Sequence, residues 1–161
     1  MINRMNVTTP TDREIVVTRT FNAPRDLVFR AHTEPKLVQR WLLGPDGWTM
    51  PVCEIDLRVG GRLAYRWRND AEGHEFGLTG EFHEITPPAR MVHVERMEGF
   101  EGQSLVTTLF EERGGQTHMT VTMLFDSKEA RDGAVASGMA DGMATTYNRL
   151  EKVLTESLVT D

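Results

Sequence analysis

Cysteine is almost missing from this chain. The single thiol, Cys53, excludes an internal disulfide and a cysteine-built zinc site. Basic tracts are missing too. With a formal net charge of -6 and no Lys/Arg-rich run, nucleic acid is not an expected partner. No apolar run nears the roughly 18 residues of a membrane span. The opening residues, MINRMNVTTPTDRE, lack the apolar core of a signal peptide. The expectation is a cytoplasmic protein with no membrane span. The chain also has no nucleophile elbow, phosphate loop or dinucleotide fingerprint. His32, His74, His83 and His118 fall at no metal-ligand spacing. Neither a metal nor a cofactor is expected.

What is present fits one domain. The 161 residues contain no repeat, low-complexity stretch or linker. Residues 1–12 are polar and read as a flexible tail, leaving a single domain over 13–158. Residues 14–20, EIVVTRT, are β-branched and read as a first strand. Pro24 and Pro35 then open two short helices, the first carrying Leu27, Val28 and Ala31, the second Leu37, Val38, Trp41 and Leu42. Asn22 or its neighbour is the expected cap of the first. Six strands follow, over 52–59, 62–68, 74–85, 89–97, 103–112 and 116–125. Leu63, Tyr65 and Trp67 alternate with Arg62, Arg66 and Arg68, the period of a sheet with one buried face. Cys53, Ile55, Leu57 and Val59 alternate likewise and read as a buried face. Gly77 and Gly80 suggest a bend or bulge.

A last helix over 128–158 starts at an Asp126 or Ser127 cap, with Glu129 in its first turn. Val135, Met139, Met143, Tyr147, Leu150 and Leu154 form one stripe along it. Gly133, Gly138 and Gly142 are costly inside a helix, and suit close approach to a sheet or space left open. Consecutive strands with tight turns imply an antiparallel sheet of about seven strands that must curl. The one long amphipathic helix is available to fill its concave side. The fold class is α+β.

Several motifs carry a resemblance that covers residues 20–154. They are AlaPro before the first helix, Val28-Phe29, the segment 41–45, GlyTrpThr at 47–49, GluIleAspLeuArg-x-GlyGly at 54–61, Gly80-Glu81, GluIle-x-ProPro at 84–88 and GlyGly-x-Thr at 114–117. In this order and spacing the chain resembles the activator of Hsp90 ATPase homologue 1-like (AHSA1-like) family. That family belongs to the SRPBCC, START-like or Bet v 1-like, superfamily. The resemblance implies a helix-grip fold, a curved sheet closed over a cavity by a C-terminal helix. It also implies ligand binding, a START-like cyclase or hydrolase activity, or a stress-related chaperone partnership. The chain departs from the family in its last helix. Met143 follows Gly142 where a Trp is usual, and Tyr147 replaces the first Leu.

The candidate ligand is a small hydrophobic or aromatic, lipid-like molecule between sheet and helix. Its candidate contacts are the methionines Met91, Met119, Met123, Met139 and Met143 and the rings Trp41, Tyr65, Trp67, Phe76 and Tyr147, with His93 and Glu95. Flexible, polarizable methionine suits an adaptable apolar site, and equally a filled core. The aromatics could stack on a ligand or simply pack. His93 and Glu95 share a strand face with Met91. Turned inward they would orient a polar group or exchange a proton. If Val92 and Val94 point inward instead, they form a surface pair worth little. Asp56, Arg58, Arg62 and Arg66 read as a cross-strand charge ladder on the outer face. Whether the protein is a homodimer is left open by the sequence.

Overall fold

The computed structural model describes residues 5–160. In chain order the elements are β1 (Asn6–Thr8), β2 (Glu14–Phe21), α1 (Arg25–Thr33), α2 (Pro35–Trp41), β3 (Thr49–Ile55), β4 (Arg62–Asn69), β5 (His74–Thr86), β6 (Arg90–Met97), β7 (Ser104–Arg113), β8 (Gln116–Phe125), α3 (Lys128–Ala136) and α4 (Met139–Thr160). One eight-stranded antiparallel sheet has the order β1-β2-β8-β7-β6-β5-β4-β3. From β3 to β8 each strand pairs with the next in sequence, as tight turns dictate. Only β2 breaks the run, lying beside β8.

The sheet has eight strands rather than seven because Asn6–Thr8, expected in the tail, pair with Val16–Thr18 at the edge. All three residues of β1 are exposed, so no buried side chain announces it. Residues 1–4 of the expected tail lie outside the described residues.

Two other boundaries differ. β3 ends at Ile55, and Leu57 and Val59 are exposed rather than buried. Backbone bonds from Arg58 N to Asp56 O and from Gly61 N to Arg58 O curl the chain before those two residues can alternate. The last helix is two helices. α3 is capped by Ser127, whose Oγ accepts a hydrogen bond from Ala130 N at 3.0 Å. It stops at Ser137, and Gly138 takes φ +81°. That left-handed position ends α3 in the usual glycine manner. The break resets the helical phase, so Val135 leaves the stripe and is 49% exposed. The first helix also differs: its N-cap is Pro24, with no side-chain cap.

The inner face of the sheet carries Ile15, Val17 and Phe21 of β2, Met119, Val121 and Met123 of β8, Val106 and Phe110 of β7, and Met91 of β6. Tyr147, Leu150, Val153 and Leu154 of α4 pack on it, with α1 and Trp41 of α2 closing one end. The architecture is α+β, an antiparallel sheet gripped by its C-terminal helix. Among the described residues no helix is long and apolar enough to cross a membrane.

Candidate functional site

The register decides which way β6 faces. His93 lies opposite Phe82 on β5 and Val106 on β7, and Met91 opposite Ile85 and Thr108. Phe82, Met91 and Val106 all belong to the core beneath α4. His93 and Glu95 therefore share the inner face, and Val92 and Val94 are buried on the other. Close packing of β5 on β6 holds this placement. Gly80 sits opposite Glu95, and a Cβ at Gly80 would lie 2.0 Å from the carbonyl oxygen of Val94. The bulge expected from Gly77 and Gly80 lies beyond both glycines, at a register shift between Phe82 and Glu84.

The His93 Nε2–H donates to Glu95 Oε1 at 2.8 Å, with the two side chains 14% and 29% exposed. The other ring nitrogen, Nδ1, is buried without a partner. Bonding through Nε2 fixes the orientation of the ring on the inner face. Two phenols lie within the electrostatic reach of Glu95. Burial first, then the charges of Cys53 and Glu95, push the Tyr65 hydroxyl well above the ordinary tyrosine range. Burial and Glu95 do the same for Tyr147, opposed by Arg19. Burial also pushes the Cys53 thiol up to about 11, so this half-buried cysteine is a poor nucleophile.

Beside this group a cleft of about 500 Å³ opens between the ends of β5–β8, the 98–104 loop, α3 and the start of α4. Leu78, Met97, Phe100, Met123, Phe125 and Met139 supply its apolar wall. Glu95, Gln103 and Ser104 supply polar groups. α3 contributes its small residues Ala130, Gly133 and Ala134, and nothing lies within 4 Å of where a Gly133 Cβ would stand. The glycine thus fits the open-space reading of the sequence.

Of the residues singled out from sequence, Glu95, Met123 and Met139 line the cleft. Met91, Met119, Trp41 and Tyr147 are buried in the core. Trp41 Nε1–H donates to Ala31 O at 2.9 Å, and its ring packs on Tyr147 at 6.0 Å. Tyr65, Trp67 and Met143 are partly buried against that core. Phe76 joins a ring cluster with Trp67 at 5.2 Å and Trp48 at 5.3 Å. Trp67 Nε1–H is spent on Leu42 O at 2.7 Å.

Sequence reasoning missed Arg19. It stands on the inner face of β2, 5% exposed, with Nη1–H donating to Asn148 Oδ1 at 2.8 Å and Nε without a partner. Its guanidinium lies 5.3 Å from the centre of the Phe21 ring. Burial pulls its pKa below the ordinary arginine value, with Glu151 and Tyr147 opposing. The signal was an arginine at an inward position of the alternating first strand. On the outer face the expected cross-strand charge ladder is found only in part: Arg66 takes part in it, whereas Asp56 and Arg58 lie in the turn beyond β3. Arg66 pairs with Glu75 and Glu98, Arg96 with Glu81, and Asp56 with Arg58 in the turn. Among the described residues no cluster of His, Cys, Asp and Glu could hold a metal ion.

Residues 22–155, nearly the whole domain, match the family model described as Activator of Hsp90 ATPase homolog 1-like protein. The chain belongs to this family. The AHSA1-like assignment carries the Bet v 1/START-like fold with it, and solved structures agree. A Rhodobacter sphaeroides protein is 30% identical with a TM-score of 0.90, over 94% of this chain and 98% of that one. A Mycobacterium smegmatis protein is 23% identical with a TM-score of 0.84, over 96% and 99%. An AHSA1-like protein from Aeromonas hydrophila is 21% identical with a TM-score of 0.71, over 86% and 92%. The last two bear on the fold alone. Comparison with curated proteins finds no match.

Proposed function

We propose that this AHSA1-like protein binds a small, largely apolar molecule in the cleft beneath α3 and the first turn of α4. The observation that carries the reading is the cleft itself: about 500 Å³, walled by Met, Phe and Leu side chains, with Glu95 reaching it from the inner face of the sheet. That volume suits a drug-sized molecule, and a mainly apolar wall with a few polar groups is the usual composition of such sites. The exposed Met97 and Phe100 belong to the same wall, which gives those apolar side chains a use. Burial of about 200 Å² of ligand surface would supply about 5 kcal/mol before ordering costs.

Acid–base catalysis by His93 has less support. Its Nε2 is engaged by Glu95, and Nδ1 has no access to the cleft. A substrate proton could reach the pair only through Glu95.

The test is a cleft-filling substitution, Ala134→Trp. Fluorescence titration with the neutral dye Nile red should show saturable binding to the wild type and at least about a tenfold loss in the variant, the equivalent of about 1.4 kcal/mol. Equal binding by the two proteins would contradict the reading.

A further inference from the structure

The charges around the cleft are of one sign. Its wall contains four carboxylates, Glu95, Glu101, Asp126 and Glu129, and no Lys or Arg. Elsewhere on the sheet several acidic residues have a basic partner: Glu75 and Glu98 share Arg66, Glu81 meets Arg96 and Glu84 meets Arg90. The two basic residues of α3 could have served the cleft. Instead Lys128 and Arg131 both turn to Asp132, at 2.8 and 2.9 Å, and Arg131 also donates to Thr11 O. Asp126 accepts a hydrogen bond from Gln103 N at 2.9 Å, and Glu95 one from His93. None of the four carboxylates is paired with a Lys or Arg among the described residues.

Four carboxylates around one apolar hollow, with no basic residue among them, give it a negative potential that attracts a cation. A bound anion is repelled and, beside Glu95, must also shed its own hydration. Phe100 and Phe125 are both in the wall, and the face of an aromatic ring attracts an ammonium.

From this asymmetry we infer that the ligand of the cleft is cationic: an apolar or aromatic amine whose ammonium is held by Glu95, with Glu101, Asp126 and Glu129 setting the field at the mouth. The inference rests on the binding reading above, and it narrows that reading to one charge class. It excludes fatty acids, aryl carboxylates and phosphorylated lipids as preferred ligands.

Three probes sharing one ring system separate the two readings: 1-naphthylmethylammonium, 1-naphthalenemethanol and 1-naphthoate, measured by calorimetry at low ionic strength. The ammonium should bind at least about tenfold tighter than the carboxylate, with the alcohol between them. Added salt should narrow the gap. Glu95→Gln should reduce the ammonium-to-alcohol ratio by about tenfold. Glu129→Lys, on the exposed surface of α3 where folding is not at stake, should reduce the ammonium-to-carboxylate ratio. Equal binding of all three probes, or tighter binding of the carboxylate, overturns the charge inference and leaves the cleft a binding site. An unchanged ratio in both variants overturns it as well. Failure of all three probes to bind overturns both readings.

Discussion

His93 and Glu95 stand two apart on one strand, and that spacing alone gives them a shared face. Which face was not legible, because Val92 and Val94 make the opposite face apolar as well, and both faces are buried. Only the register against Phe82 and Val106 turns the pair inward. The methionines were legible as apolar and inward, but not as core or cleft wall. Met119 and Met123 lie on one strand face, yet only Met123 reaches the cleft, because it stands near the end of β8 that leads into α3. Ala130 and Ala134 carry no chemical signal at all, and Gly133 signalled space without saying where it lay; the role of all three is to be small. His32 shows a residue effect that can be measured. Its ring packs edge-on between Trp41 at 4.8 Å and Phe110 at 5.1 Å, and Nδ1–H donates to Val28 O. Burial lowers its pKa from 6.5 to about 4, with the Val28 bond opposing. Between those values the unfolded chain holds a proton that the folded protein does not. Stability is therefore full above the upper value and falls as pH drops through the window, by up to about 3 kcal/mol. Urea denaturation at about pH 7 and about pH 5 should show this loss, and His32→Phe should flatten it. The same slope in both proteins would contradict it.

Among the elements, those with a clean alternation were read nearly to the residue. β8 runs Gln116–Phe125 as its pattern required, and β2 gains only Phe21. The errors fall where a local rule outweighed the pattern. Leu57 and Val59 alternate correctly and are nonetheless exposed, since the backbone turn from Asp56 to Gly61 takes them out of the sheet. The helical stripe runs across Gly138 without a break in spacing, so hydrophobicity hid the stop that the glycine imposes. The break aims α3 separately from α4, and α3 is the element that roofs the cleft. Two glycine substitutions should therefore act in opposite directions. Gly138→Ala forces a side chain into the left-handed region and should cost about 1–2 kcal/mol. Gly133→Ala meets nothing within 4 Å. It should stabilise α3 by up to about 1 kcal/mol. Thermal melts of the two variants check this, and shifts of the same sign would contradict it.

For the whole molecule, the dense and open parts of the interior are separate. Beneath α4 the sheet is filled by Phe21, Phe110, Met119, Leu150 and Leu154, each less than 2% exposed. Beneath α3 it is not, and the cleft is the result. Met143 packs against the filled core and is not part of the cleft wall, whereas Met139, one turn earlier, is. The fold was legible because it follows from many small agreements among strand periods, turns and one long apolar stripe. The cleft was not, because it follows from where two helices part. Amide ¹H–¹⁵N mapping of the protein titrated with 1-naphthylmethylammonium locates the bound amine. Shifts are expected to gather at Glu95, Ser104, Phe125, Ala130, Gly133 and Met139. Shifts confined to the outer face around Arg66, or none at saturating probe, would contradict that placement.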